Sequence, residues 1–249
     1  MIGQYYNKIT LETIKSMRDD FVIVHGPFKS GKTTLIKEAY NDYTIIECDA
    51  SSDGFDRLAY SLLSNKQERK LYLIQNCDYL APGVFNKILK FAEEITELRS
   101  TLVMEYRGSY PDTLRTRAKV IEMQSYKKDD MSNMTNNNHI LEIAPSPGIV
   151  DYLLNIDKFE ESYNLGVSIV KGLYVADKGN LLKLPYVIDS NGLDYITILL
   201  VMMSMYVTND KYTDQYLTVS KLYYSYSLSR KMNINMAFTN MLLELRKIV

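Results

Sequence analysis

Short apolar runs alternate with helical apolar spacing through the first half of the chain. Runs of apolar and β-branched residues predict five strands, at residues 21–24, 43–48, 71–74, 101–104 and 119–123. Apolar residues three or four positions apart predict helices before the first strand, at 35–40, at 55–63 and from Pro82, with a short helical turn after Pro111. Because strands that alternate with helices build parallel sheets, the pattern favours a mostly parallel five-stranded sheet covered on both faces.

After residue 124 the pattern becomes helical throughout. Residues 126–138 are polar and Asn-rich, which is typical of a linker with one short helix. Residues 196–206 are apolar nearly all round and predict a central helix. One helical stripe is formed by Leu217, Leu222, Tyr223 and Tyr226. A final helix opened by residues 233–235 is predicted to turn inward Met236, Phe238, Met241, Leu242 and Leu245. We therefore predict an α/β domain over residues 1–124, a small helical domain over 125–156 and an all-α domain over 157–249.

One loop joins the first strand to a helix with the spacing of a phosphate-binding motif. Residues 26–34 read G-P-F-K-S-G-K-T-T, which fits the P-loop pattern G-x-x-x-x-G-K-[ST]. The two glycines allow a tight turn and a close approach to phosphate, while the loop amides and the helix N-terminus point at the anion. Lys32 is expected to reach the β and γ phosphates, and the Thr33 hydroxyl is expected to face Mg²⁺. We predict a site for ATP or ADP with Mg²⁺ that is formed by Gly26, Pro27, Lys29, Ser30, Gly31, Lys32, Thr33 and Thr34.

The second nucleotide motif of a P-loop ATPase is altered in this chain. Such enzymes carry an Asp and often a Glu at the end of another strand, where the Asp supports Mg²⁺ and the Glu polarises the attacking water. Here the strand at 71–74 is followed by Gln75 and Asn76. An amide cannot act as a general base and is a poor Mg²⁺ ligand, so hydrolysis by this chain alone is in doubt. Asp78 lies nearby and is a displaced candidate for the acid if the strand ends later.

Composition narrows the classes of protein further. The chain has 249 residues, 46% of them hydrophobic and 24% charged, with a net charge of −1, which is typical of a globular protein rather than one that coats nucleic acid. Cys48 and Cys77 belong to no C-x-x-C pair, so neither zinc nor a disulfide framework is expected. The N-terminus has no signal pattern, and the longest apolar run, at 196–207, is too short to span a bilayer. We expect a cytoplasmic protein without a membrane partner.

Several stretches resemble the AAA+ subunits of DNA-polymerase clamp loaders. They are residues 47–52 with Gly54, residues 70–74, residues 78–80, and the helix at 85–94, which is similar to the family's N-A-L-L-K-x-L-E-E helix. The resemblance covers nearly the whole chain. It implies that the first domain is an AAA+ P-loop domain, the second a lid and the third a collar through which subunits assemble.

Two further positions gain a meaning from this resemblance. Residues 113–117 match the place of the family's Ser-Arg-Cys motif, which implies that Arg117 is a finger that points across a subunit interface at a neighbour's γ-phosphate. From its position alone, the favoured interpretation of Arg117 is an ordinary exposed basic residue that leads into a strand. The Ser-Pro-Gly at 146–148 is most like the delta-prime (stator) subunit of DNA polymerase III, and Gly148 stands where the ATPase subunits carry a nucleotide-sensing arginine. An intact P-loop, the absence of room for a zinc module and the short chain depart from that subunit, and a compact phage-type version would account for the length.

The resemblance implies a clamp-loader subunit, non-catalytic or weakly catalytic, that works with other ATPase subunits, a sliding clamp and primed DNA. Two alternatives stay open from the sequence. One is an active AAA+ ATPase that loads a replication protein, and the other is a nucleotide-gated interaction module unrelated to replication. Lys127 and Lys128 are candidates for phosphate contact, although exposed lysines are more often simply solvated.

Overall fold

Five parallel strands form one sheet in the first half of the chain. The computed structural model describes residues 4–49, 68–80, 82–97, 99–107, 110–123, 126–173, 175–207, 210–228 and 232–247. The strands are β1 (Phe21–His25), β2 (Thr44–Asp49), β3 (Lys70–Gln75), β4 (Thr101–Tyr106) and β5 (Lys119–Glu122), in the order β2-β3-β4-β1-β5. The strand that precedes the P-loop, β1, therefore lies between β4 and β5, with Val24 opposite both Glu105 and Ile121.

Helices cover this sheet because alternate strand residues point to opposite faces. The helices of the first half are α1 (Gln4–Ser16), α2 (Lys32–Ala39), α3 (Pro82–Glu97), α4 (Asp112–Arg115) and α5 (Lys128–Met131). One core cluster joins Val22, Val24 and Val103 of the strands to Leu35 and Ile36 of α2. The opposite face packs against α3 in a second cluster, in which Tyr72 meets Phe91 edge to face at 5.1 Å. The face that carries α2 is also the face toward which Glu105 points, since its neighbours in β4, Met104 and Tyr106, belong to the α3 cluster.

Helices make up the regular structure described after β5 and α5. They are α6 (Asn138–Ile143), α7 (Pro147–Leu154), α8 (Phe159–Gly172), α9 (Lys178–Ser190), α10 (Tyr195–Val207), α11 (Thr213–Leu228) and α12 (Ile234–Lys247). Helix α10 is apolar all round, with eight buried residues, and packs against α8 and α11. Gly166 of α8 allows the close approach of α10, because an added Cβ there would lie 2.9 Å from the Cβ of Val201.

The chain forms two compact units. One contains Met1–Asp130 together with Pro145–Gly148, and the other contains Met131–Ala144 together with Ile149–Val249. The segment at Pro145–Gly148 thus belongs with the sheet, although it precedes most of α7. The predicted three-domain division at residues 124 and 156 stays a prediction.

The predicted fold class is confirmed: an α/β P-loop domain with a five-stranded parallel sheet is followed by helices. The central position of α10 is confirmed as well. In the last helix one inward assignment was wrong, because Met236 is 63% exposed, whereas the other four residues predicted to face inward are buried. The predicted loop at 49–54 and helix at 55–63 lie outside the described residues, apart from Asp49. Across the described ranges, no helix has both the length and the apolar character that a bilayer crossing needs.

Candidate nucleotide-binding site

The P-loop leaves β1 and enters α2 as the sequence predicts. Gly31 is the residue before the helix and has φ 86°, a left-handed conformation that favours glycine because it has no Cβ. Lys29 also has a positive φ of 53°, so the turn is tight on both sides of Ser30. Helix α2 begins at Lys32, and its first N–H groups have no carbonyl partner within the helix. The loop therefore presents a helix N-terminus of the kind that binds phosphate.

Lys32 lies under the loop rather than in solvent. Its ammonium donates to the carbonyl oxygens of Gly26 at 2.8 Å and Pro27 at 2.7 Å, and it lies 3.3 Å from Ser30 Oγ. The residue is only 5% exposed. Burial lowers the pKa of Lys32 to about 8, and the negative charge of Glu105 opposes part of that decrease. The ammonium is thus held within the loop, at the start of α2.

Thr33 contacts a carboxylate that comes from another strand. Its hydroxyl donates to Glu105 Oε2 at 3.0 Å, and Glu105 is 7% exposed. The other carboxylate oxygen, Oε1, is buried and has no hydrogen-bond partner among the described residues. Burial raises the pKa of Glu105, while the Thr33 hydrogen bond and the charges of Lys32 and Arg107 oppose the increase. A buried acid thus lies beside the hydroxyl that the sequence assigns to Mg²⁺.

Three groups from elsewhere in the same unit hold the outer side of the loop. Ser146 Oγ donates to the Phe28 carbonyl at 2.9 Å, the Gly148 amide donates to the Lys29 carbonyl at 3.2 Å, and the Tyr126 hydroxyl donates to the Ser30 carbonyl at 2.9 Å. All three contacts are made to carbonyl oxygens. None of them occupies an amide that the loop would offer to phosphate.

Gly148 fits against the loop only because it has no side chain. An added Cβ would lie 2.5 Å from the Lys29 carbonyl oxygen and 2.8 Å from Lys29 Cβ, closer than real Cβ contacts. The loop backbone therefore leaves no room for a side chain at residue 148.

The two amides at the end of β3, Gln75 and Asn76, make hydrogen bonds with residues other than Thr33. Gln75 Nε2 donates to Glu47 Oε2 at 3.0 Å, toward the edge strand β2. Asn76 has a positive φ of 56° and accepts a hydrogen bond from the Arg107 guanidinium. Neither contact leads to the P-loop threonine.

Asp78, the displaced acid that the sequence left open, lies in the turn Cys77–Tyr79 after β3. Both of its carboxylate oxygens accept from the Arg107 amide, at 3.1 and 3.2 Å. Asp78 also lines a cavity of about 470 Å³ with Phe85, Asn86 and Tyr106. The Arg107 guanidinium lies over the Phe28 ring, with its carbon 4.6 Å from the ring centre, so a second cation stands next to the P-loop.

Arg117 follows α4 and is exposed, with 48% of its side-chain surface accessible. It donates to the Thr113 carbonyl at 3.2 Å and lies 4.0 Å from Glu93, an ion pair in solvent that holds it weakly. Its role toward a neighbouring subunit stays a prediction.

The P-loop residues come together as a single loop in the structure, with Thr34 on the exposed side of α2. Their contacts with a nucleotide stay predictions. Glu105 was missed from the sequence because the fourth strand was predicted to end at Met104, whereas β4 continues to Tyr106. A signal was present: Glu105 is a carboxylate between Met104 and Tyr106, within an otherwise apolar run.

Within the described residues, no group of three or more His, Cys, Asp or Glu side chains lies close enough together to hold a metal ion. Beside the loop, the Thr33 hydroxyl and the Glu105 carboxylate lie within hydrogen-bond distance of each other. Hard oxygen donors of this kind fit Mg²⁺, which is usually bound by one or two carboxylates together with substrate phosphates.

Comparison with known proteins gives likenesses of fold only. No family model and no curated protein matches the chain. Among solved structures, a DNA polymerase III gamma subunit-related protein from Thermotoga maritima is similar over 96% of this chain and 99% of its own, at 14% identity and a TM-score of 0.49. AMPPCP-bound DnaA from Aquifex aeolicus is similar over 97% and 92%, at 13% identity and a TM-score of 0.45. A RuvB mutant from Thermotoga maritima is similar over 66% of this chain, at 20% identity and a TM-score of 0.47, and this chain spans 64% of that one, which is less than two thirds. None of the three assigns a function to this chain.

Proposed function

We propose that this chain is an AAA+ subunit of a clamp-loader-type complex that binds ATP or ADP with Mg²⁺ and turns nucleotide over slowly or not at all. The observation that carries the nucleotide-binding part is the buried Lys32 ammonium at the start of α2, inside a loop whose outer carbonyl oxygens accept hydrogen bonds from three separate donors. Such a loop is pre-organised for phosphate. The clamp-loader part is supported by the resemblance of the sequence motifs.

In nucleotide binding, each group has a separate task. The loop amides and the N-terminus of α2 would donate hydrogen bonds to the phosphate oxygens. Lys32 would donate to phosphate oxygens in place of the Gly26 and Pro27 carbonyl oxygens. Thr33 and Glu105 would hold Mg²⁺, which neutralises charge on the phosphates when it is bound. Arg107, above Phe28, adds positive charge at the mouth of the loop.

Slow turnover follows from the two amide side chains at the end of β3. Gln75 and Asn76 are amides, and an amide cannot take a proton from an attacking water. Gly148 supplies no charge to a transition state, and the close Lys29 carbonyl leaves no room for a longer side chain. The site can therefore bind a triphosphate without efficiently cleaving it.

Arg117 is proposed to act on a neighbour rather than on this site. The proposal is supported by its exposure and by its weak ion pair with Glu93, which leave the guanidinium available to a partner subunit. A guanidinium keeps its charge and matches phosphate oxygens, as a finger requires. Assembly through the helices at 157–249 and cooperation with a sliding clamp and primed DNA belong to the same proposal.

The Thr33–Glu105 contact favours a second candidate, an active AAA+ ATPase. A carboxylate beside the P-loop threonine can support Mg²⁺ and so removes one objection to hydrolysis. Phosphate release by the purified chain distinguishes the two candidates, because only the second predicts efficient turnover, which is lost when Lys32 is replaced.

Nucleotide binding is tested by calorimetry with ATPγS and Mg²⁺ on the wild type, Lys32→Ala and Lys37→Ala. Lys37 is the matched control, since it lies on α2 but keeps 43% of its side-chain surface accessible and is paired with Glu47 at 2.8 Å. We expect binding in the wild type and in Lys37→Ala and none in Lys32→Ala. Equal affinity in all three proteins would contradict the assignment of the site.

The subunit role is tested by pull-down with a cognate clamp-loader ATPase and by the ATPase rate of the assembled complex. Arg117→Ala is expected to reduce that rate while the complex still forms, and Arg115→Ala, an exposed arginine two residues earlier, is expected to leave it unchanged. Failure to form a complex, with no binding of clamp or primed DNA, would favour a nucleotide-gated module outside replication.

A further inference from the structure

Glu105 is a buried carboxylate, and one of its two oxygens accepts no hydrogen bond from the described residues. It is 7% exposed, one oxygen accepts from Thr33 and the other has no partner among the described residues. A buried carboxylate oxygen without a partner costs free energy, because the desolvation penalty is not offset by a hydrogen bond. A buried polar atom without a partner calls for an explanation, and a bound ion is one of the explanations.

The sheet register explains how a strand next to β1 delivers this acid. Along β2, β3 and β4, Glu47, Gln75 and Glu105 point to the face that carries α2, since their neighbours in each strand belong to the α3 cluster. Gln75 is bonded to Glu47 at the sheet edge. Glu105 is opposite Val24 of β1, and so it is the member of this row that reaches Thr33.

We propose that Glu105, on β4, is the metal-supporting carboxylate of the nucleotide site. It takes the role of the acid that is missing at the end of β3, where this chain has the amides Gln75 and Asn76. Its free Oε1 and the Thr33 hydroxyl are the protein's oxygens for Mg²⁺, and the remaining ligands are phosphate and water. Two protein oxygens are too few for a tight site, so Mg²⁺ binds only together with nucleotide. This inference rests on the proposed nucleotide binding.

The test compares the affinity for ATPγS with excess Mg²⁺ and with EDTA, by calorimetry, in the wild type and in Glu105→Gln. We expect Mg²⁺ to tighten binding in the wild type, and the substitution to remove roughly tenfold or more of that gain. Affinity in EDTA should be kept, because the amide retains the shape of the side chain and removes a negative charge close to the phosphates. A purely structural role would weaken binding equally with and without Mg²⁺.

Two control variants sharpen the result. Glu47→Gln changes a carboxylate on the same sheet face that is bonded to Gln75 and Lys37 instead of Thr33, and its Mg²⁺ gain should equal that of the wild type. Asp78→Asn removes the other nearby acid and should also keep the gain. If Asp78→Asn loses the Mg²⁺ gain and Glu105→Gln keeps it, the proposal is overturned.

A direct readout of the metal is the number of Mn²⁺ ions bound per nucleotide, measured by electron paramagnetic resonance. We expect about one in the wild type with ATPγS, none without nucleotide, and a loss in Glu105→Gln. If Glu105→Gln does not fold, Glu105→Asp, which keeps the charge on a shorter side chain, should still bind Mn²⁺, and a failure to do so would overturn the proposal. If the wild type binds nucleotide and Glu105→Gln keeps the full Mg²⁺ gain, only this inference is refuted. If the wild type binds no nucleotide, the proposed function is refuted.

Discussion

Replacing Gly148 with alanine tests whether close backbone packing holds the P-loop in place. The new Cβ would lie 2.5 Å from the Lys29 carbonyl oxygen, so the two segments must separate by roughly 0.8 Å to reach an ordinary carbon–oxygen contact. Lys29 cannot give way easily, because it has a positive φ and the carbonyl before it accepts from Ser146. The substitution therefore strains the loop, the helix start, or both.

The cost of this substitution can be bounded from the structure. Overpacking of this kind costs about 1–3 kcal/mol, and the 3.2 Å hydrogen bond from the Gly148 amide to the Lys29 carbonyl, worth about 1 kcal/mol, is weakened or lost. Alanine recovers up to about 1 kcal/mol, because glycine is unfavourable in a helix. We expect a net destabilisation of about 1–3 kcal/mol, which lowers the melting temperature by roughly 2–4 °C for each kcal/mol.

The assay is thermal unfolding followed by circular dichroism, together with calorimetry of ATPγS binding. Gly172→Ala is the matched control, because it also adds a Cβ to a helical glycine but meets nothing within 4 Å. The control should melt at or above the wild-type temperature, while Gly148→Ala should melt lower and bind nucleotide more weakly. Gly148→Arg should be worse still rather than restore a sensing arginine. Wild-type melting and affinity in Gly148→Ala would refute the reasoning.

Three further predictions concern stability. Gly166→Ala should lower the melting temperature, because its Cβ would lie 2.9 Å from the Cβ of Val201, and overpacking costs about 1–3 kcal/mol; a melting temperature equal to that of the glycine control would contradict this. Tyr40→Phe should lower the free energy of urea unfolding by about 1 kcal/mol, since the buried Tyr40 hydroxyl donates to a backbone carbonyl at 2.8 Å. Tyr43→Phe should cost less, because the Tyr43 hydroxyl has no hydrogen-bond partner among the described residues. A larger cost for Tyr43→Phe would refute this assignment of hydrogen bonds. Glu160 accepts hydrogen bonds from two side chains near α6, which lower its pKa. The ionised carboxylate therefore stabilises the fold above the ordinary glutamate pKa, and this stabilisation is lost as the pH falls through the folded-state pKa. The difference in unfolding free energy between the wild type and Glu160→Gln should shrink on acidification, and a constant difference would count against this.

The local pattern along the chain predicts most of the elements. Short runs rich in apolar and β-branched residues mark all five strands, and the runs are least interrupted in the interior strands β1 and β3, which are buried along nearly their whole length. The P-loop is readable for a similar reason, since its glycine, lysine and threonine spacing is a local requirement of one turn. The exposure of Met236 and Leu217 could not be predicted from the sequence. An apolar helix residue is buried only where another element packs against it, and the sequence pattern does not show where that happens.

The chemistry of the site depends on contacts between residues far apart in the chain. Thr33 meets Glu105 only because the sheet order puts β4 beside β1, and that order is decided by long-range pairing rather than by either segment alone. Gly148 meets Lys29 through a segment more than one hundred residues later in the sequence.

The sequence by itself determined the strands, the helices and the phosphate-binding loop, since each follows from the spacing of neighbouring residues. Only the tertiary structure decided that Lys32 is buried within its loop, that Gln75 turns to the sheet edge and that Glu105 stands beside Thr33. The physical reason is that burial and charge pairing are properties of the residues brought together by the fold, and a carboxylate gains a role from its neighbours in space.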